Sequence, residues 1–375
     1  MTLPKVGLEL SACCNPQPTG VSRYAQRLTE ALLAESDYSF RALYRASRLK
    51  KRKYLSDWFQ GPVRGYQGPL VWGRYDLVHG LDAQVPGWNH PRMIATFHDL
   101  APLLITEERV SSTGFIQKKT AQYWETLRRA AHLITVSETT KRDLVRLFNL
   151  DSERITAIPL GLEERLLLPD PNRDEILAQK GLTPKKYLFF LGSLANRKNL
   201  KRMLAAFARS KAQESLDLVL AGEVSWGAGG LGQWVEELGL KKQVYILDYL
   251  PENQLPALYQ GAAGFLFATL YEGFGLPILE AMAARTPILV GNQGAAPETA
   301  GGFAALCDPY QVESITQGID QLLTFGETHL TQAQAHAQAF TWIKNANTTL
   351  ALYEKLLKIP PLGPCLPAGT VDDLG

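Results

Sequence analysis

The sequence predicts an α/β protein of two doubly wound, Rossmann-like halves, and three observations carry that expectation. Short apolar runs rich in Val, Ile, Leu and Phe alternate with helix-length amphipathic stretches along the whole chain, the pattern of βαβ units and a parallel sheet buried on both faces. The 375 residues suffice for two domains at roughly 150 residues each. A polar stretch with prolines at 159, 169 and 171 separates two sets of strand-like runs, each large enough for a doubly wound sheet.

In the first half, strands are expected near 5–10, 38–44, 76–80, 93–97, 133–136 and 155–158, with helices near 21–34, 113–130 and 138–148. Residues 45–68 stand apart. Arg45, Arg48, Lys50, Lys51, Arg52, Lys53 and Arg64 mix with Tyr54, Trp58, Phe59 and Tyr66 without a clear period. This segment reads either as a solvated loop whose aromatics pack locally or as a surface for an acidic or lipid-linked substrate. In the second half, strands are expected near 187–191, 217–221, 244–247, 264–268, 287–290 and 303–307. Helices near 199–212, 230–239, 252–260, 277–284 and 311–325 fall between them, and two more helical stretches follow residue 330 around Phe340-Thr341-Trp342. Beyond Ile359 the proline-rich tail cannot hold a helix and is expected to be disordered.

Composition excludes several function classes. Apolar residues at 46% and charged residues at 20% are those of a folded globular chain. A balance of 39 Lys and Arg against 37 Asp and Glu leaves a net charge of +2, so no protein-wide field would attract nucleic acid. Four cysteines at 13, 14, 307 and 365 form neither a disulfide framework nor a metal-ligand spacing, which suits a reducing compartment. No apolar run of about 18 residues is present to span a bilayer. Leu10-Ser11-Ala12-Cys13 imitates a lipoprotein cleavage box, but Pro4, Lys5 and Glu9 leave no apolar region before it.

Two strings carry chemistry. The first, Tyr271-Glu272-Gly273-Phe274-Gly275-Leu276-Pro277-Ile278-Leu279-Glu280, follows an expected strand, and Pro277 suits the first turn of a helix. Residues Glu272 to Leu276 therefore form a loop at a carboxyl end, where ligands of doubly wound sheets bind. Gly273 and Gly275 let backbone approach a ligand, the N–H groups opening the helix suit a phosphate, and Glu272 and Glu280 suit sugar hydroxyls on either side of it. The second string runs from Tyr187-Leu-Phe-Phe-Leu through Gly192 and Ser193 to Arg197-Lys198-Asn199. Two cations at a helix N-terminus oppose the macrodipole unless an anion sits there, and a diphosphate would supply one. The string Gly227-Ala228-Gly229-Gly230-Leu231-Gly232 satisfies GxGxxG with Asp248 downstream, which keeps a nicotinamide dehydrogenase as a rival. Four residues, Glu223 to Trp226, separate the strand from the first glycine, where the dinucleotide fingerprint needs a tight turn. No DxD pair is present, so no metal cofactor is expected to bridge a diphosphate.

Together the Glu-x7-Glu string, the Gly192 to Asn199 string and the order of elements resemble the retaining glycosyltransferases of family 4 (glycosyltransferase group 1), which have the GT-B fold of two Rossmann-like domains facing a central cleft. Thr19-Gly20-Val21-Ser22-Arg23-Tyr24, Ala95-Thr96-Phe97-His98-Asp99-Leu100 and Phe340-Thr341-Trp342 also match the family's glycine loop, His-Asp strand end and C-terminal crossover. The resemblance implies that Arg197 and Lys198 hold the donor diphosphate, while Glu272 with Gly273, Phe274, Gly275 and Leu276 holds the donor sugar and phosphate. Glu280 would bind the ribose, Tyr249 and Leu250 would meet the base through backbone, and His98 beside Asp99 would face the sugar. Ser193 stands where many members have arginine, and Gly20 is one glycine where many have two.

The resemblance further implies an acceptor-binding domain over 1–165 completed by a returning helix at 345–358, a nucleotide-sugar domain over 166–344, and a tail at 359–375. The motif wording is closest to bacterial mannosyltransferases of surface polysaccharide and lipopolysaccharide synthesis. The expected donor is therefore GDP-mannose, with UDP-glucose as alternative, and the acceptor a saccharide or lipid-linked saccharide. A sugar-nucleotide epimerase is the rival on the same fold. A cytoplasmic enzyme is expected, with peripheral contact to an anionic membrane through residues 45–68.

Overall fold

A computed structural model describes residues 3–16, 18–67, 70–71, 74–105, 113–223 and 230–365. Two compact units are present. Described residues of Met1–Leu100, Thr113–Gly161 and Thr341–Gly375 form the first, and those of Ala101–Ser112 and Leu162–Phe340 form the second.

The first unit holds β1 (Lys5–Glu9), β2 (Ser39–Arg45), β3 (Val63–Gln67), β4 (Leu70–Val71), β5 (Leu77–Gly80), β6 (Met93–Phe97), β7 (His132–Thr135) and β8 (Ile155–Ala157). They make one sheet in the order β4-β3-β2-β1-β5-β6-β7-β8. All neighbours are parallel except β3 and β4. From β1 the chain winds outward through β2 and β3 and then restarts at β5, which makes the carboxyl ends of β1 and β5 the switch point. Helix Gly20–Glu35 starts where the Thr19 side chain accepts a hydrogen bond from the Ser22 amide and the Ser22 hydroxyl accepts one from the Thr19 amide, a capping box that satisfies two free donors. Its buried face, Tyr24, Ala25, Leu28 and Leu32, has the helical spacing that places side chains on one stripe.

The second unit holds β9 (Tyr187–Leu191), β10 (Asp217–Ala221), β11 (Val244–Leu247), β12 (Gly264–Phe267), β13 (Ile288–Gly291) and β14 (Ala305–Cys307). Their order is β11-β10-β9-β12-β13-β14, parallel throughout. Its switch point lies between β9 and β12, and both strands are almost wholly buried, as a sheet covered on both faces requires.

Three expectations need correction. Residues 45–68 are not one aperiodic loop: a 3-10 turn (Ala46–Lys51), a short helix (Lys53–Ser56) and β3 lie within them. There Leu55, Phe59 and Tyr66 are buried, so three apolar anchors shape a segment whose charged residues mask any period. The helix expected over 199–212 runs only over Leu200–Phe207, and a separate 3-10 turn covers Lys211–Glu214. The tail is not free throughout: Arg154 donates to the carbonyls of Gly363 and Pro364, and the Cys365 amide donates to Ala130. Residues 366–375 lie outside the described residues. Besides the excursion into the second unit that begins at Ala101, the chain passes between units at Gly161–Leu162 and again at Phe340–Thr341, and Thr341 caps the returning helix Trp342–Lys358.

Candidate active site

In the second unit the loops after β9 and β12 bring the two strings together. The chain after β9 forms a 3-10 turn, Asn196–Lys198, and Asn199 then takes the left-handed conformation (φ 62°) that starts helix Leu200–Phe207. Asparagine tolerates that conformation better than most residues. Its buried side chain donates to the carbonyls of Ala268 (2.9 Å) and Pro309 (2.6 Å), tying this turn to the loops beyond β12 and β14. Lys198 is thereby fixed with its ammonium 2.6 Å from Oε1 of Glu272. Nη1 of Arg197 lies 3.6 Å from the same oxygen and is buried without a hydrogen bond.

Lys198 and Glu272 are 6% and 9% exposed, so their charges meet away from most water. Burial would push the Glu272 carboxyl up; the Lys198 and Arg197 charges, with hydrogen bonds from Lys198 and Thr269, outweigh it and hold the group below its ordinary value. This geometry corrects one step of the sequence reasoning. The anion that compensates the paired cations is supplied by the protein itself, as Glu272, so charge imbalance alone does not call for a diphosphate.

The backbone of the Glu272 loop is pinned from behind. The Ala295 amide donates to the Glu272 carbonyl (2.8 Å) and the Thr299 hydroxyl to the Phe274 carbonyl (2.6 Å). Gly275 caps helix Leu276–Ala283 at φ 94°, where a Cβ would stand 2.7 Å from Ile278, so glycine is required there. Along that helix Glu280, 1% exposed, accepts a 2.7 Å hydrogen bond from the Tyr259 hydroxyl. Ser193 follows β9 and is half-buried. After β11, Tyr249 is 39% exposed and Leu250 is buried. Of the GxGxxG string, residues 227–229 lie outside the described residues, and Gly230 precedes helix Leu231–Glu237.

In the first unit, His98 and Asp99 follow β6, both half-buried. Nε2–H of His98 donates to the Leu81 carbonyl (2.9 Å), and its ring meets Tyr24 edge to face with centroids 4.7 Å apart. The Asp99 carbonyl accepts from Tyr123 (3.4 Å). Gly20 is exposed in the first helical turn, and nothing lies within 4 Å of where its Cβ would be; the glycine loop expected there is the start of a helix. Sequence reasoning missed Tyr259, Thr299 and the strut role of Asn199. The first two act across 21 and 25 residues and leave no local signal, whereas the conformational tolerance of asparagine at a turn was a usable one.

Two Rossmann-like sheets, one carrying a cation–carboxylate cluster at its switch point, define the class as GT-B. A family model for glycosyl transferases group 1 matches residues 172–338, and one for glycosyltransferase family 4 matches residues 18–166. The O-antigen chain mannosyltransferase B of Escherichia coli is 30% identical over 286 residues, covering 75% of this chain and 74% of that protein. The serotype-specific mannosyltransferase WbdA of Escherichia coli is 27% identical over 73% of this chain but only 35% of its own length. Among solved structures, a sucrose-phosphate synthase from Thermosynechococcus elongatus superposes with a TM-score of 0.74 at 19% identity, over 94% of this chain and 99% of that one. The chain belongs to the family 4 glycosyltransferases and is a glycosyltransferase.

Proposed function

We propose that this glycosyltransferase moves mannose from GDP-mannose to a saccharide or lipid-linked saccharide acceptor in polysaccharide or lipopolysaccharide assembly, with retention at the anomeric carbon and without a metal. The observation that carries the reading is the buried Lys198–Glu272 pair with Arg197 beside it at the β9/β12 switch point, where ligands of doubly wound sheets bind. The mannose reading is further supported by the E. coli relatives, which are named mannosyltransferases.

A diphosphate entering this site would share Lys198 with Glu272 and take up Arg197, and the amides opening helix Leu276–Ala283 would complete its coordination. Glu272 and Glu280 would then accept hydrogen bonds from hydroxyls of the sugar and the ribose, and Tyr249 and Leu250 would meet the base. No carboxylate is assigned as a nucleophile on the opposite face of the sugar. The step is therefore front-face substitution. The bond from the anomeric carbon to the leaving phosphate oxygen breaks, the acceptor oxygen bonds on the same face, and its proton passes to the departing phosphate. Arg197 and Lys198 stabilise the charge that develops there, and His98 orients the sugar.

A thermal-shift panel of nucleotide sugars tests the donor. GDP and GDP-mannose should raise Tm, as any ligand specific to the folded state does; stabilisation by UDP-sugars alone would reverse the choice to UDP-glucose. Epimer formation from a nucleotide sugar without acceptor would instead favour the epimerase.

A further inference from the structure

The first unit contains a chain of buried hydrogen bonds that the proposed chemistry leaves unused. His79, within β5, is fully buried. Its Nδ1 lies 2.6 Å from the Tyr353 hydroxyl, and its Nε2 lies 2.8 Å from Oγ1 of Thr96. The same Thr96 oxygen is 3.0 Å from the Tyr24 hydroxyl, and the Tyr24 ring packs edge to face on His98. Burial, helped by the nearby His98, pushes His79 down to about 3, so its imidazole is neutral, with one N–H and one lone pair. Burial also pushes the Tyr353 phenol well above its ordinary value, so it keeps its proton. Either the Tyr353 hydroxyl donates to Nδ1 of His79 and Nε2–H donates to Thr96, or Nδ1–H donates to Tyr353 and the Thr96 hydroxyl donates to Nε2. Each arrangement satisfies both nitrogens of His79.

We propose that Tyr353, acting through His79, Thr96 and Tyr24, is a positioning residue for His98. The returning helix Trp342–Lys358 that carries Tyr353 lies beyond both family-matched stretches. With Tyr24 against its ring and the Leu81 carbonyl on Nε2–H, His98 is held in one orientation and one tautomer, and Nδ1 is the nitrogen left for a substrate hydroxyl. This inference rests on His98 acting in the transfer, as proposed above.

Imidazole 15N spectra and a double-mutant cycle test it. In the unaltered protein His98 should give a single Nε2–H tautomer. Tyr353→Phe should shift or broaden that signal, and it should lower kcat for GDP-mannose turnover about tenfold with the donor KM within twofold. In a His98→Ala background the same substitution should add no further loss. His79→Gln, which keeps a side-chain donor and acceptor, should retain more activity than His79→Leu, and it stands in should Tyr353→Phe fail to fold. Unchanged His98 signals in Tyr353→Phe, or equal losses in both backgrounds, would overturn the proposal. A fully active His98→Ala would overturn the catalytic reading of His98 and this inference with it, whereas an impaired His98→Ala beside a silent Tyr353→Phe would overturn this inference alone.

Discussion

Lys198 neutralises the buried Glu272 carboxylate, and in the proposed transfer it would also supply positive charge where the leaving phosphate develops negative charge. Lys198→Ala should therefore lower turnover about a hundredfold, on the order of 3 kcal/mol by analogy with lost oxyanion donors, while GDP binding measured by calorimetry falls much less. The stability effect has its own pH signature. In the unaltered protein the lowered Glu272 pKa contributes stability that is present above the group's ordinary value of 4.5 and lost as pH falls through the lowered one. Without Lys198, burial gains on the remaining Arg197 charge and the carboxyl moves up. The Tm deficit of Lys198→Ala should thus be larger at pH 7.5 than at pH 4.5; a constant deficit would mean the pair is not coupled. Glu280 is a contrasting residue. Its hydrogen bond from Tyr259 fixes a ground-state contact, so Tyr259→Phe and Glu280→Ala should both raise the donor KM, several-fold and more than tenfold respectively, with smaller losses in kcat. Matching kinetic profiles for Lys198→Ala and Glu280→Ala would contradict the roles assigned.

At the scale of elements, the segment Ala46–Gln67 is where sequence and structure part most. Lys50, Lys51, Arg52 and Lys53 are exposed, Tyr54 and Trp58 are half-buried, and Phe59 and Tyr66 are buried. Tyr66 donates to the buried Glu9 at the end of β1, so two of the four aromatics serve the sheet and only Tyr54 and Trp58 remain for a headgroup layer. The four exposed cations still suit an anionic leaflet, at about 1 kcal/mol each. Binding to anionic vesicles in co-sedimentation should fall steeply with salt and vanish when these four are changed to Ser; protein that stays in the supernatant at low salt would rule this docking out. The strands before and after the segment were legible because a parallel sheet buried on both faces demands continuous apolar runs. Strand β3 was not, because it reads Val-Arg-Gly-Tyr-Gln and only Tyr66 is buried in it. The Glu272 loop was legible for a related reason: Gly275 and Pro277 answer to backbone geometry, which leaves a local mark. What pins that loop from behind, Ala295 and Thr299, is set by tertiary contacts and leaves none.

Across the whole molecule, the chain leaves the first unit after Gly161 and returns at Thr341. The return is anchored in the first unit. A Cβ on Gly161 would clash with Trp342, Asn345 donates to the Pro159 carbonyl (2.6 Å), and Arg92 bonds the carbonyls of Leu356 and Ile359. Among the described residues no helix is long and apolar enough to cross a membrane. In the proposed reaction the cation pair and Glu272 support transfer from a nucleotide diphosphate sugar on one face of the anomeric carbon. Proton NMR of the disaccharide linkage formed from GDP-mannose on a mannose-terminated oligosaccharide tests it most directly. The new anomeric signal should have the configuration of the donor and be almost absent with Lys198→Ala; an inverted linkage, or undiminished transfer by that variant, would contradict it.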